Sequence, residues 1–416
     1  MDKSVPKGRL KGVAVPPCSK SYAQRALAAS LLATGRSVLR NMDFCNDTLS
    51  AVRCIETLGA KVTRSDSRTL EVEGGLNPIS DTLNVGESGL SARLFTPIAS
   101  LCSTPITICG EGTLLYRPMD MMINPLRALG VNVRDGGGRL PIEVCGRIYG
   151  GEIDVDGSVS SQFITGLLLA LPLAEQDTVI NVKSAVSKPY LDMTIDTAKA
   201  FGVKIEHNNY EQFYIEGCQR YVATNYAIEG DWSAAAMLLV AGAVAGEVTL
   251  KNLSMLSKQA DVAICQALVR AGAELTSDSD TISVSCRPLH GFEFDATNCP
   301  DLFPALATLA SAAEGNSVII GTNRLEHKES NRAEAIKSEF GRLGIEVDLS
   351  VDNIMKIRGG KITGGVEIDS HSDHRMAMTL AVAGLISDSG VVIHKAESVS
   401  KSYPDFFETL KALRDE

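Results

Sequence analysis

Nothing in this sequence is long and apolar enough to cross a membrane. The longest apolar runs, residues 163–174 and 234–245, are about a dozen residues each, and a span needs roughly twenty. They read instead as buried core helices, and no membrane partner is expected. The opening Met1-Asp2-Lys3-Ser4-Val5-Pro6-Lys7-Gly8 lacks the apolar segment of a secretory leader, so a cytoplasmic protein is expected. There are ten cysteines but no Cys-x-x-Cys pair and no Cys/His ligand cluster. That excludes the usual zinc modules and leaves reduced thiols as the expected state. An excess of positive charge is also missing. The net charge of −10 argues against a general nucleic-acid surface, though not against a small anion that responds to local charge in a cleft. No stretch is low in complexity.

What remains is a globular composition, 44% apolar and 22% charged, in 416 residues, enough for two or three domains. Inside it runs a repeat. Five segments share an amphipathic helix, a Gly and then a strand: Leu58-Gly59-Ala60-Lys61-Val62, Leu129-Gly130-Val131-Asn132-Val133, Phe201-Gly202-Val203-Lys204-Ile205, Ala271-Gly272-Ala273-Glu274-Leu275 and Leu343-Gly344-Ile345-Glu346-Val347. The Gly is a helix stop where a positive φ costs little. Successive glycines lie 71, 72, 70 and 72 residues apart, and a further interval of 72 ends at residue 416. A sixth helix is expected over residues 404–414, without room for its strand. The segment 9–15 is a spare strand of the right kind, so the N-terminus is expected to complete the last unit and close the repeat on itself. A solenoid, the alternative for such a repeat, would carry polar capping units at its ends.

Each unit holds a second helix, apolar nearly all round and therefore buried. The six begin in short polar clusters: Ser19-Lys20-Ser21, Gly86-Glu87-Ser88-Gly89, Ser158-Val159-Ser160-Ser161-Gln162, Gly230-Asp231-Trp232-Ser233, Cys299-Pro300-Asp301 and His371-Ser372-Asp373-His374-Arg375. Each unit thus has two helices and about four strands, and three units per half make two similar domains around helical cores.

Helix N-termini attract anions through unpaired N–H groups and the helix dipole. Ser and Asp there are also ordinary N-caps. Cations are harder to explain that way. Lys20, Arg25 and Arg375 lie in the first turns of apolar helices, where a cation opposes the dipole by a few tenths to about one kcal/mol. An anionic ligand would reverse the sign. Arg117, Lys328, Arg332 and Lys401 lie in connecting loops. A charged first turn of a surface helix is the lesser alternative for Lys328-Glu329-Ser330-Asn331-Arg332. His371 and His374 have metal-like H-x-x-H spacing, but no third ligand motif accompanies them and no metal is expected.

Taken together, these residues resemble the 5-enolpyruvylshikimate-3-phosphate synthase family of enolpyruvyl transferases. The resemblance covers nearly the whole chain. It is carried by Ser19-Lys20-Ser21 with Arg25, Gly157-Ser158-Val159-Ser160-Ser161-Gln162-Phe163, Val186-Ser187-Lys188-Pro189-Tyr190 and Glu229-Gly230-Asp231. Lys328-Glu329-Ser330 with Arg332, Asp373-His374-Arg375-Met376-Ala377-Met378, and Lys401 before Tyr403-Pro404-Asp405 complete it. The resemblance implies an α/β fold of two inside-out α/β barrel domains, built from six βαβαββ units, three per domain. One domain would span residues 19–228. The other would span 229–416, completed by the N-terminal strand 1–18.

The implied reaction moves the enolpyruvyl group of phosphoenolpyruvate onto the 5-hydroxyl of shikimate 3-phosphate and releases phosphate, through a tetrahedral intermediate. It is a step of aromatic amino-acid biosynthesis. The hydroxyl must lose a proton, C3 of the alkene must gain one, and phosphate and that proton must then leave. Two carboxylates suit this work. By resemblance, Asp301 is the base at the acceptor hydroxyl and Glu329 handles the proton at C3, with Lys20 beside the phosphate and bridge oxygen. The counterparts of Ser21, Arg25, Ser160, Ser161, Gln162, Ser187 and Lys328 hold the shikimate phosphate, with Lys20 and Asp301 also at the acceptor. Those of Lys20, Gly89, Arg117, Gln162, Arg332, Arg375 and Lys401 hold phosphoenolpyruvate. Seven cations would face roughly five to six negative charges on the substrates. Because these ligands come from both domains, an empty cleft would stay open and anions would close it. No cofactor is implied, and a monomer is expected.

The sequence departs from the family pattern at Glu87-Ser88-Gly89-Leu90, where an Asn-Ala-Gly-Thr type loop is common. Asn331 stands for a usual Asp, and His327 for a usual apolar residue. Sister enzymes that use UDP-N-acetylglucosamine commonly carry a reactive Cys before the Arg117 position; residues 111–116 contain none. A non-catalytic anion-binding or RNA-end-processing protein is the alternative of another class, and the net charge and the Asp301/Glu329 pair count against it.

Overall fold

The computed structural model describes residues 1–326 and 328–415; His327 lies outside the described residues. The chain divides into two compact units, Cys18–Glu229 and a second one that joins Met1–Pro17 to Gly230–Glu416. Each has its own apolar core. The helices at those cores are the apolar ones: Lys20–Leu32, Gly89–Ala99 and Gln162–Ala170 in one, Trp232–Ala245, Phe303–Ser311 and His374–Ile386 in the other. Gly166 allows Gln162–Ala170 to press against its neighbour, since a Cβ there would lie 2.4 Å from the Arg93 carbonyl oxygen.

One sheet pattern recurs. Strand Thr82–Asn84 runs parallel to Ile106–Cys109, and the helix Gly89–Ala99 is the crossover between them, as a parallel pair requires. Ile106–Cys109 then pairs antiparallel with Ile142–Cys145, which pairs antiparallel with Asn132–Asp135. The same order is found for Gly151–Asp156, Thr178–Lys183, Gln212–Ile215 and Glu206–Asn208, and again for Glu293–Asp295, Asn316–Ile320, Ile354–Arg358 and Glu346–Asp348. The chain is α/β as expected. Among the described residues the strands form separate sheets of two to four, and none closes into a barrel by itself.

The repeat glycines behave as the sequence predicts. Gly59, Gly130, Gly202, Gly272 and Gly344 all have φ between 79° and 115°. In each case the following N–H bonds back five residues, as in Ala60 N–H to Ile55 O at 2.9 Å and Ile345 N–H to Phe340 O at 2.9 Å. That bond marks a Schellman stop.

Closure differs from expectation. Strand Leu10–Ala14 does not complete the last unit. It pairs in parallel with Gly246–Lys251, while Asn225–Ala227 pairs in parallel with Arg36–Arg40. The strand before each compact unit's first buried helix is thus supplied from elsewhere in the sequence. The last sheet is completed instead by Lys3–Val5, antiparallel to Val391–His394. Leu10 bridges Arg414 of the last unit. The sixth amphipathic helix is Phe406–Ala412, shorter than the expected 404–414, and just past it Leu413 O accepts the Lys11 N–H at 2.7 Å.

The exchanged strand has a testable weak point. A Cβ on Gly246 would meet the Leu10 backbone, with its carbon at 2.9 Å and its nitrogen at 3.0 Å. Gly246→Ala is expected to cost about 2 kcal/mol by overpacking. In a domain of this size that lowers Tm by roughly 4–8 °C, and calorimetry reads it.

Candidate functional site

In the Cys18–Glu229 unit, Ser19 caps helix Lys20–Leu32 by accepting the Tyr22 N–H at 3.4 Å. Lys20 opens the helix, and its Nζ donates to Asp47 Oδ2 at 3.0 Å. Ser21 follows, and its carbonyl accepts from Arg25 Nη1 at 2.8 Å. Arg25 is 1% exposed. Its Nε donates to Thr194 Oγ1 at 2.9 Å, and Nη2 donates to Thr165 Oγ1 at 3.2 Å and Tyr190 O at 3.0 Å. All these acceptors are neutral. Burial alone pulls the guanidinium down to about 10. A buried cation held by dipoles costs several kcal/mol that an arriving anion would offset.

The neighbouring elements add donors. Ser160 and Ser161 precede helix Gln162–Ala170, and Ser160 Oγ accepts the Gln162 N–H at 3.2 Å. Gln162 Oε1 accepts from Arg93 Nη1 at 2.8 Å, and Arg93 Nη2 donates to Pro118 O at 2.9 Å. Arg117 lies against Gly89, where a Cβ would come within 2.7 Å of its Nη1, so a larger residue there would displace the guanidinium. Ser187, at φ 53°, begins helix Lys188–Ala200, and its carbonyl accepts the Tyr190 N–H at 3.0 Å. Lys20, Ser21, Gln162, Ser187 and Gly89 therefore sit at helix starts, with Arg25 in the second turn of its helix and Arg117 at the end of the turn Gly112–Tyr116.

The other unit holds a charged network. Asp301 lies in the turn Pro300–Leu302 that leads into Phe303–Ser311. Its Oδ1 accepts from Arg332 Nη1 at 2.7 Å and Lys328 Nζ at 3.3 Å; its Oδ2 accepts from Arg375 Nη2 at 3.1 Å. Glu329 Oε2 accepts from Arg332 Nη2 at 2.7 Å, and Lys401 Nζ lies 3.7 Å from Glu329 Oε1. Burial pushes the Asp301 carboxyl up, but Arg375, Lys328 and Arg332 outweigh it and hold it well below the usual carboxylate range. Burial draws the Lys328 ammonium down, against Asp301. Arg332 moves the other way, because Asp373, Glu329 and Asp301 overcome its burial. The result is an ionised carboxylate, one-fifth exposed, fixed among cations.

The profile of the EPSP synthase (3-phosphoshikimate 1-carboxyvinyltransferase) family matches residues 5–410. The chain belongs to the EPSP synthase family. Relatives named 3-phosphoshikimate 1-carboxyvinyltransferase agree. That of Clostridium novyi (strain NT) is 37% identical, with 97% of this chain and 95% of the relative covered; that of Clostridioides difficile (strain 630) is 36% identical, with 96% and 94% covered. The solved EPSP synthase of Acinetobacter baumannii superposes with a TM-score of 0.85 at 27% identity, covering 99% of this chain and 98% of that one.

Beside the EPSP synthase pattern, three residues escaped the sequence reading. Asp47 pairs with Lys20, Arg93 orients Gln162, and Asp373 accepts from Arg332 Nε at 2.8 Å. Asp373 also caps helix His374–Ile386 by accepting the Arg375 N–H, and capping alone accounts for an Asp at that position in the sequence. Arg93 carried a signal: a charged residue four positions after Gly89 in an otherwise apolar helix. The charge count needs correction too. Seven cations do not stand bare, because Asp301, Glu329, Asp373 and Asp47 already engage Lys20, Lys328, Arg332, Arg375 and Lys401.

The departures are also placed. The Glu87 carboxylate is turned against Gly112 at the surface, while Ser88 caps helix Gly89–Ala99 by accepting the Ser91 N–H at 3.2 Å, and Leu90 is buried. Asn331 caps helix Arg332–Arg342. His371 Nε2 meets Glu339 Oε1 at 2.9 Å, whereas His374 is buried beside Asp373, so the two histidines face different partners.

Proposed function

We propose that this chain transfers the enolpyruvyl group of phosphoenolpyruvate to the 5-hydroxyl of shikimate 3-phosphate and releases phosphate, by addition and elimination through a tetrahedral intermediate. Family membership supports the reaction. The observation that carries the chemistry is Asp301, an ionised carboxylate clamped by Arg332, Lys328 and Arg375. Asp301 takes the proton of the attacking hydroxyl. Glu329, between Arg332 and Lys401, delivers a proton to C3 and removes it again as phosphate leaves. Lys20 stands by the phosphate and bridge oxygen. The acceptor phosphate is held by Ser21, Arg25, Ser160, Ser161, Gln162, Ser187 and Lys328. Phosphoenolpyruvate is held by Lys20, Gly89, Arg117, Gln162, Arg332, Arg375 and Lys401.

The same reading takes the family's inside-out α/β barrel domains, three βαβαββ units and three buried helices in each, as the architecture, with residues 19–228 as one domain and 229–416 plus 1–18 as the other. It takes the working form as a cytoplasmic monomer. No described helix is long and apolar enough to cross a membrane.

The test is phosphate release. With phosphoenolpyruvate as donor, shikimate 3-phosphate is expected to support turnover and UDP-N-acetylglucosamine is not. Release with the UDP-sugar alone would replace this reading with the sister reaction.

A further inference from the structure

Helix Arg332–Arg342 grips the turn ahead of helix His374–Ile386 at two places. At its start, Arg332 Nε donates to Asp373 Oδ2 at 2.8 Å. About two turns further along the same helix stands Glu339, a buried carboxylate that the proposed chemistry leaves unused. Its Oε1 meets His371 Nε2 at 2.9 Å and accepts the Ser338 hydroxyl at 3.0 Å, and its Oε2 accepts the Asp369 N–H at 3.0 Å. An ionised carboxylate only accepts, so His371 Nε2 carries the proton of this bond. The turn needs such a grip. His371 and Ser372 have φ of 54° and 56°, two successive left-handed residues of which neither is Gly. Backbone of that kind persists only where its surroundings hold it. Asp369 Oδ1 accepts the His371 N–H at 2.7 Å, Lys395 O accepts the Ser370 hydroxyl at 3.0 Å, and Ser370 O accepts the Asp373 N–H at 2.9 Å. Glu339 secures the one side chain of the turn that these bonds leave to the helix.

We propose that Glu339 and His371 are a pair of positioning residues for phosphoenolpyruvate: they dock the turn 370–373 on the helix that carries Arg332, and so hold Arg332 and Arg375 in place for that substrate. This rests on the reading of both arginines as its ligands. The link is Asp373, whose Oδ2 takes Arg332 Nε and whose Oδ1 accepts the Arg375 N–H at 2.9 Å. A turn that slips carries Asp373 with it, and both guanidinium groups lose their aim. The strength of the grip depends on the charge of His371. Facing its ring are Glu339 from the helix, Asp369 from strand Val366–Asp369 and Lys395 just after strand Val391–His394. Arg342 Nε stands behind Glu339, 3.9 Å from its Oε2. The bond to Glu339 raises the imidazole above its ordinary value; burial opposes this, the Glu339 and Asp369 charges add to it, and Lys395 subtracts. Burial pushes the Glu339 carboxyl up, but the bonds from His371, the Asp369 N–H and Ser338 hold it below its ordinary value. The charged pair is therefore in full force below about 6.5, and it weakens to a neutral hydrogen bond as pH rises through the raised midpoint of His371.

The experiment compares the KM for phosphoenolpyruvate of His371→Asn with that of the parent at each pH, read by phosphate release with shikimate 3-phosphate as acceptor. Taking the ratio cancels the titration of the substrate. Asn suits the left-handed backbone at this position, so the change removes the imidazole and spares the turn. The variant's KM is expected to be roughly three- to tenfold higher about one pH unit below 6.5, the difference between a charge-assisted bond and a neutral one. Above the midpoint of His371 the ratio should shrink to within about twofold, because the parent has lost the charge as well. The KM for shikimate 3-phosphate should stay within about twofold throughout. Glu339→Gln removes the carboxylate and should give the same pH-dependent ratio; it decides the matter if His371→Asn does not fold. A ratio that is flat with pH, or equal losses for both substrates, overturns the positioning role and leaves the pair a structural one. Absence of phosphate release by the parent, or a phosphoenolpyruvate KM unmoved in Arg375→Gln, would overturn the reading of the site instead.

Discussion

Asp301→Asn is expected to fold, bind both substrates and lose roughly 10³–10⁴ in kcat, the upper part of the range for a positioned acid–base group. The amide keeps the shape and one acceptor oxygen for Arg332 Nη1 or Arg375 Nη2, so the loop before Phe303–Ser311 keeps its place. What it loses is the negative charge that can take a proton. Removing that charge also leaves Arg332, Arg375 and Lys328 with less internal neutralisation, and an anionic substrate then feels more positive charge. KM should therefore stay level or fall while kcat collapses. A level KM marks an interaction made only in the transition state, and a lower KM adds relief of ground-state repulsion. Steady-state kinetics with each substrate varied in turn checks it. Turnover near that of the parent would remove Asp301 from the chemistry, and a rise in KM at constant kcat would recast it as a binding group.

Much of the fold was legible because its strongest signals are local. A Gly after an amphipathic helix and a strand after the Gly describe one backbone event, and the five positive φ values with their backward bonds realise it. The strand exchange was not legible. Leu10–Ala14 and Asn225–Ala227 read alike as short strands, and which sheet each joins is decided by register with partners far along the chain, as in Val13 opposite Thr249 and Tyr226 opposite Leu39.

The site divides in the same way. A cation in the first turn of a buried helix contradicts the local rule, so Lys20 and Arg375 stood out, and Arg25 did as a charge one turn further into an apolar helix. Their carboxylate partners did not. Asp373 obeys the capping rule while also holding Arg332, and Asp47 sits unremarkably in the first turn of Asn46–Thr57.

Arg25 is where stability and function pull apart most clearly. Arg332 is buried to the same degree but meets three carboxylates, whereas Arg25 donates to two threonine hydroxyls and two carbonyls. Replacing a buried ion by an apolar side chain of similar length is often neutral or stabilising. Arg25→Met is therefore expected to leave Tm unchanged or a few degrees higher, because Met takes the place of the Arg25 side chain against helix Lys188–Ala200 without burying a charge. The same change removes the cation that an acceptor phosphate would find there. Losing one partner of a desolvated charge pair costs about 3–4 kcal/mol, a drop of roughly 10²–10³ in kcat/KM for shikimate 3-phosphate. The effect should appear chiefly in the KM of that acceptor and much less in that of phosphoenolpyruvate. Paired measurements of thermal unfolding and of the two KM values decide it. A destabilised but fully active variant would mean that Arg25 is a structural strut, held for its four hydrogen bonds and not for an anion.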